Sequence, residues 1–171
     1  MVATVQAPLF VPATRPERFA KAAASGADAV ILDLEDGVAV ADKDSARAAL
    51  HCDFTRLEVI LRINGRGTPW HDADVEALRR LPVAAVMLPK SEDPAAVAAL
   101  AAALDRRPLI ALIESARGLA NARAIAALDG VERLAFGSID FCADMGCAHS
   151  REALLPIRSE LVLASRLARI A

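Results

Sequence analysis

The sequence has no tyrosine, one tryptophan and five phenylalanines, so aromatic residues make up only 4% of its 171 residues. Its core must therefore be built from aliphatic side chains, which are plentiful, because 55% of the residues are hydrophobic. A further 25% are charged, and this balance excludes a disordered chain. Length and composition predict a single domain over residues 1–171.

The chain also lacks an excess of charge of one sign. Twenty Lys and Arg residues face 22 Asp and Glu residues, and no basic stripe is available for a nucleic-acid backbone. No apolar run approaches the roughly 20 residues of a membrane-spanning helix. The opening MVATVQAPLF has no basic segment before an apolar one, as a secretory signal has. We expect a cytoplasmic protein with neither nucleic acid nor membrane as a partner.

Cysteine is scarce. Cys52, Cys142 and Cys147 are odd in number and have apolar neighbours, which predicts free thiols rather than a disulfide framework. Cys142, Cys147 and His149 lack the second ligand pair typical of a zinc site. His149 and the other histidines, at 51 and 71, lie away from the predicted strand ends, so none is expected to act as a ligand or base.

The chain instead shows short aliphatic runs that alternate with alanine-rich stretches of helical length. The runs are almost continuously apolar, which is typical of strands buried on both faces of a parallel sheet. Six of them occur, at 9–11, 29–32, 59–61, 85–88, 109–113 and 134–136.

Helix starts are predicted from capping signals. Thr14 opens a T-x-x-E capping box, Thr68 precedes a proline, and Asp93 precedes Pro94, which suits the first helical position. The last helix is expected from Glu152 to near residue 170, because its apolar residues recur at helical spacing.

Polar residues follow every predicted strand at its carboxyl end, and no Gly-x-Gly-x-x-Gly follows any of them. This distribution favours a (β/α)8 TIM barrel over a doubly wound sheet. A complete barrel takes about 250 residues. We therefore expect a TIM-barrel-type chain that is truncated after about six strand-helix units, whose two open edges need partners.

Glu114 and Asp140 follow strands that are neighbours in such a barrel. Two carboxylates that leave the other positions to water or substrate are typical of a Mg²⁺ site. The alternative is that both carboxylates cap helices or pair with Arg62 and Arg117. Arg62 itself is a candidate for binding a carboxylate and holding enolate charge, or else forms an ion pair with Asp33 or Glu35.

Asp33, Glu35 and Asp36 form an acidic cluster after the second strand, which offers a general acid or base. Because side chains alternate along a strand, some of the three would only orient their neighbours. Lys90, after the fourth strand, is either an anion-binding residue or the nucleophile of a Schiff-base aldolase.

Six stretches, in this order, resemble the citrate lyase beta-subunit-like branch of the HpcH/HpaI aldolase superfamily. They are LFVPATRPERFAKA, GADAVILDLEDGVAVADKDSAR, LRINGRGTPWHDAD, VMLPKSED, LIALIESARGLANARAIA and LAFGSIDFCADMG. The resemblance implies a Mg²⁺-dependent (β/α)8 barrel that assembles as a homo-oligomer, a trimer or hexamer.

By this resemblance, the glutamate of IESARG, Glu114, and the aspartate of FGSIDF, Asp140, are the Mg²⁺ ligands. Arg62 of LRING binds the substrate carboxylate and polarised carbonyl. The remaining expected site residues are Glu35 and Asp36 near the metal-bound water, and Gly137, Ser138 and Lys90 at the substrate.

The resemblance further implies a carbon-carbon lyase that cleaves a citryl- or malyl-like thioester, on coenzyme A or an acyl carrier protein. Its products are an acyl thioester and a 2-oxo acid such as oxaloacetate or glyoxylate. Four cations, Arg15, Arg18, Lys21 and Arg66, are candidates for the carrier's phosphates. Two alternatives remain: a thioesterase that uses the same site, and a non-catalytic truncated paralogue or interaction subunit that retains metal and oxo-acid binding.

Overall fold

A computed structural model describes residues 2–171 and shows strands and helices in regular alternation. The strands are β1 Pro8–Pro12, β2 Ala29–Asp33, β3 Glu58–Arg62, β4 Ala85–Leu88, β5 Leu109–Ile113 and β6 Val131–Phe136. The α-helices are α1 Phe19–Ala23, α2 Lys43–Ala48, α3 His71–Ala77, α4 Pro94–Ala103, α5 Ala116–Ala126, α6 Ser138–Met145 and α7 Arg151–Ala168. Short 3-10 helices cover Val2–Thr4, Pro16–Arg18, Val40–Asp42 and Leu78–Arg80. Every aliphatic run predicted to be a strand is one.

The chain divides into two compact units, Met1–Met87 and Leu88–Ala171. In the first unit, β1, β2, β3 and the start of β4 are parallel and hydrogen-bonded in sequence order. Val11 lies beside Leu32, and Leu32 beside Leu61. All five residues of β2 are buried, which explains why the run contains no polar residue before its last position.

In the second unit, β5 is buried throughout and pairs in parallel with β6. Helix α7 buries Leu154, Leu161 and Ala164. The Arg123 guanidinium on α5 donates hydrogen bonds of 2.6 and 2.9 Å to the Glu160 carboxylate on α7. These contacts tie the two helices together.

The strand edges agree with the sequence prediction of an open arrangement. Among the described residues, β1 is hydrogen-bonded only to β2, and β6 only to β5. Leu9 and Phe10 of β1 are 40% and 44% exposed. The parallel α/β class is thus confirmed, whereas the single domain over residues 1–171 stays a prediction.

Of the three predicted helix caps, only Asp93 is confirmed: its carboxylate accepts a hydrogen bond of 3.0 Å from the Ala95 N–H. Thr14 does not cap, because the first helical turn begins at Pro16 with Arg15 in the N-cap position. Thr68 donates its hydroxyl to the Gly65 carbonyl instead, which closes a turn, and α3 begins only at residue 71.

Helix α7 begins one residue before the predicted start, because the Ser150 side chain accepts the Ala153 N–H and caps it. It ends at Ala168, since Arg169 adopts a left-handed conformation with φ of 59°. None of the described helices combines the length and the apolar character needed to cross a bilayer.

Candidate active site

In the first unit, β3 ends at Arg62 directly beside the end of β2. The parallel register pairs Arg62 with Asp33, and the guanidinium Nε and Nη2 donate hydrogen bonds of 2.7 Å to the two Asp33 carboxylate oxygens. Arg62 Nη1 lies 3.0 Å from Glu35 Oε2. The ion pair held open as an alternative is therefore present in the structure.

The surroundings of Arg62 fix its orientation and its charge. The Phe10 ring stacks on the guanidinium, with 5.0 Å from Arg62 Cζ to the ring centroid. Burial by itself lowers the pKa of Arg62, but the hydrogen bonds and negative charge of Asp33 outweigh it and raise that pKa. The guanidinium is thus a permanent cation that is held in one plane.

The acidic cluster does not act as one group. Asp33 is buried and also accepts the backbone N–H groups of Glu35 and Gly37, both at 2.9 Å. Glu35 is buried, whereas Asp36 is exposed. Asp33 therefore shapes the loop that follows β2, and this leaves Glu35 beside Arg62 and Asp36 open to solvent.

Glu114 directly follows β5 in the second unit and is 4% exposed. Its Oε1 accepts the Lys90 N–H at 2.7 Å. A Cβ added at Gly137 would lie 2.5 Å from Glu114 Oε2 and 2.7 Å from its Cβ. Glycine is required at this position because the carboxylate occupies the space of any side chain.

Two details differ from the expected site. The Gly137 N–H donates to the Ile113 carbonyl at 3.0 Å, so Gly137 contributes space rather than an N–H group for an anion. Asp140 lies in the first turn of α6, not at a strand end. The N–H groups of that turn, beginning with Ser138, have no partner within the helix.

Lys90 is exposed and adopts a positive φ of 48°. A Schiff-base lysine is activated by removal from water, and this side chain is not so removed. The structure thus lends no support to the Schiff-base alternative, which stays a prediction, and it shows that Lys90 contributes its backbone N–H to Glu114.

One contact close to Asp140 in the chain is not indicated by any sequence pattern. Ser138 Oγ lies 2.9 Å from His149 Nε2, across the loop between α6 and α7. The two residues are 11 positions apart. A spacing pattern does not predict this contact, because it does not indicate the path of the loop between them.

Carboxylate oxygens are the kind of ligand that Mg²⁺ prefers. Among the described residues, no group of three or more His, Cys, Asp or Glu side chains is arranged to hold a metal ion. Glu114 and Asp140 offer hard carboxylate oxygens, and two such ligands leave coordination positions for water and substrate, as Mg²⁺ prefers. The three cysteines are free thiols.

The cations considered for phosphate binding all lie on the surface. Arg15, Arg18, Lys21 and Arg66 are exposed. Arg15 forms a 2.6 Å hydrogen bond with Glu17, so it is partly neutralised.

The motifs around these residues match a known family model, HpcH/HpaI aldolase/citrate lyase, over residues 6–171. The chain belongs to this family. It is 49% identical to a citrate lyase subunit beta-like protein of Mycobacterium tuberculosis over 85% of this chain and 52% of that protein. It is 34% identical to a (3S)-malyl-CoA thioesterase of Cereibacter sphaeroides over 85% of this chain and 53% of the thioesterase. The chain thus spans about half the length of these curated relatives.

Solved structures of the family have the same fold. The citrate lyase beta subunit of M. tuberculosis in complex with oxaloacetate and magnesium gives a TM-score of 0.84 at 42% identity, over 99% of this chain and 78% of that one. CitE from the same organism, in complex with magnesium, acetoacetate and coenzyme A, gives 0.84 at 41% identity, over 98% and 64%. The resemblance seen in the sequence is confirmed.

Proposed function

We propose that this chain carries the metal- and oxo-acid-binding residues of a Mg²⁺-dependent carbon-carbon lyase. Its substrate would be a citryl- or malyl-like thioester, cleaved to an acyl thioester and a 2-oxo acid such as oxaloacetate or glyoxylate. The observation that carries the proposal is the buried Glu114 carboxylate, which occupies the space that a side chain at Gly137 would need. The Lys90 N–H orients this carboxylate, and carboxylate oxygens are the ligand type that Mg²⁺ prefers.

In this proposal, Glu114 and Asp140 hold Mg²⁺, which when bound supplies Lewis-acid polarisation of the oxo-acid oxygens. The solved structures of relatives support this assignment, because they contain magnesium together with oxaloacetate or acetoacetate. Ser138, at the start of α6, offers its backbone N–H to a substrate carboxylate.

Arg62 is proposed to bind a carboxylate of the oxo acid and to balance charge that develops during bond cleavage. A guanidinium has five N–H donors, and only two of those of Arg62 form the hydrogen bonds to Asp33. Glu35 holds the guanidinium in place from its Nη1 side. Asp36, which is exposed, is the proposed residue for proton exchange with water.

The carrier of the thioester is proposed to be coenzyme A or an acyl carrier protein, with the exposed Arg18, Lys21 and Arg66 as phosphate contacts. In this scheme, the exposed side chain of Lys90 contacts the substrate. We further propose that the protein assembles as a homo-oligomer, trimeric or hexameric. Its proposed location is the cytoplasm.

A thioesterase is the second candidate, and the relative named (3S)-malyl-CoA thioesterase favours it. The two reactions release different products. Lysis of malyl-CoA leaves the thioester intact and produces glyoxylate, whereas hydrolysis frees the coenzyme A thiol. A thiol reagent and an oxo-acid assay on the same sample therefore distinguish them, and the absence of both products supports the non-catalytic alternative.

The decisive experiment is calorimetric titration of oxaloacetate into the protein, first with Mg²⁺ and then with excess chelator. We expect binding only with Mg²⁺. The variants Glu114→Gln and Asp140→Asn should each abolish it while helical content is kept. Asp129→Asn, on an exposed residue, is the matched control. Unchanged affinity in both site variants would refute the metal assignment.

A further inference from the structure

A buried polar network lies next to Glu35 and Arg62 in the first unit, and none of its side chains belongs to a predicted site residue. The Lys43 ammonium on α2 donates three hydrogen bonds of 2.7 Å, to the Leu34 carbonyl, the Glu35 carbonyl and the Asn64 side-chain oxygen. Lys43 is only 6% exposed. An ammonium has three N–H donors, so each of them is matched by one acceptor.

The acceptors belong to the two segments that present the proposed catalytic groups. Leu34 and Glu35 follow β2, and Asn64 follows β3 two residues after Arg62. One side chain therefore connects both segments. Charge-assisted hydrogen bonds in a buried setting are about twice as strong as neutral ones, which suits a residue that fixes loop positions.

Further hydrogen bonds hold Asn64 in place. Asp74, which is fully buried, accepts the Asn64 backbone N–H at 2.8 Å and its side-chain N–H at 2.6 Å. Arg47 Nε donates to the other Asp74 oxygen at 2.7 Å. Lys43 and Arg47 lie four residues apart on α2, on one helical face, so α2 holds Asn64 from two directions.

We infer that Lys43 is a positioning residue, which holds the Glu35 carboxylate and the Arg62 guanidinium at the separation that oxo-acid binding requires. The inference rests on the proposed function. Burial favours the neutral amine and lowers the pKa of Lys43, and such a buried position is maintained only because the three acceptors surround the ammonium. A solvated lysine used merely for surface charge has no such environment.

The test compares Lys43→Met, which removes the donors but keeps the length, with Lys43→Gln, which keeps a shorter donor. Arg56→Met, on an exposed cationic residue of the first unit, is the matched control. Oxaloacetate affinity in the presence of Mg²⁺ should fall by about tenfold in Lys43→Met, as for other residues that orient a site from behind. It should fall less in Lys43→Gln. Affinity for Mg²⁺ alone should stay unchanged, because Glu114 and Asp140 belong to the other unit.

A purely structural role predicts a different result: a lower urea midpoint, with unchanged oxaloacetate affinity of the folded fraction. That result would overturn the inference. If Lys43→Met does not fold, Lys43→Gln decides, and wild-type affinity in that variant overturns the inference in the same way.

Hydrogen exchange separates this inference from the proposed function. If the wild-type protein does not bind oxaloacetate, the proposed function fails, and Lys43 is judged by amide exchange in residues 34–38. Faster exchange there in both Lys43 variants, with unchanged exchange in α5, supports the positioning role. Unchanged exchange in residues 34–38 refutes it.

Discussion

Single atoms decide the geometry around Glu114. Gly137 has no Cβ, and the Glu114 carboxylate lies where one would be, 2.5 Å from the ideal position. The φ of Gly137 is −86°, which any residue adopts. The reason for glycine here is therefore close packing, not conformational freedom.

Gly137→Ala is expected to displace the Glu114 carboxylate and to weaken Mg²⁺ binding by about tenfold or more. Overpacking should also cost roughly 1–3 kcal/mol of unfolding free energy. Titration with Mg²⁺ and urea unfolding measure the two effects. Ala143→Ser, on an exposed residue of α6, is the control, and wild-type Mg²⁺ affinity in Gly137→Ala would contradict the proposed role of Glu114.

The contact of Arg62 with Asp33 depends on the planar shape of the guanidinium as much as on its charge. Arg62→Lys keeps the positive charge but loses the two-pronged contact with Asp33. We expect unfolding free energy to fall by about 1–2 kcal/mol, because a buried charged acceptor loses a donor. Oxaloacetate affinity should fall by about tenfold, since 1.4 kcal/mol corresponds to that factor.

Urea unfolding and calorimetry provide both values for Arg62→Lys. Arg79→Lys is the matched control, because Arg79 forms an exposed pair with Glu76 at 3.0 Å, and such pairs contribute little. An equal loss of stability in the two variants would show that the contact between Arg62 and Asp33 contributes no more to the unfolding free energy than an exposed ion pair.

At the scale of elements, the helix starts show when a capping signal works. Asp93 caps α4 because Pro94 supplies the first helical position and the Asp93 backbone is extended. Thr14 has a similar sequence signal, but the chain after it enters a 3-10 turn with Arg15 at the N-cap position. A capping residue acts only where the backbone before the helix adopts the required conformation.

Asp93→Ala is therefore expected to lower the unfolding free energy by about 1 kcal/mol, because the Ala95 N–H loses its acceptor. Thr14→Ala should change it by less than about 0.5 kcal/mol. Thermal and urea unfolding of both variants measure the difference. Equal losses would mean that Thr14 stabilises the first helical turn in a way that the structure does not show.

For the whole molecule, ligand binding and stability are linked, because a ligand that binds only the folded state raises its stability. The matched solved structures contain magnesium together with a small carboxylic acid. Binding of both to this chain should therefore be visible as thermal stabilisation.

Oxaloacetate and Mg²⁺ together, at a hundredfold excess over the dissociation constant, should stabilise the fold by about 2.7 kcal/mol, or roughly 5–10 °C in melting temperature. The shift should disappear with chelator and in Glu114→Gln. Calorimetric melting of the wild type and of Asp129→Asn provides the comparison. A shift that survives chelation would contradict a metal-dependent site.

The amino-acid sequence by itself determined the strands, the α/β class and the family. Strands buried on both faces are continuously apolar, and this marked β2, β4 and β5, which are buried throughout. The similar runs in β1 and β6 also mark strands, but most residues of these two strands are exposed or half-buried. The motifs also marked Glu114, Asp140 and Arg62 as the residues to examine.

Only the tertiary structure decided what these residues contact. Asp33 as the partner of Arg62, the space that Gly137 leaves for Glu114, and the bridge from Lys43 to Asn64 join residues 21 to 29 positions apart. Spacing within one helix or strand indicates contacts only over a few residues. Contacts between elements depend on strand register and loop path, and these arise when the whole chain packs.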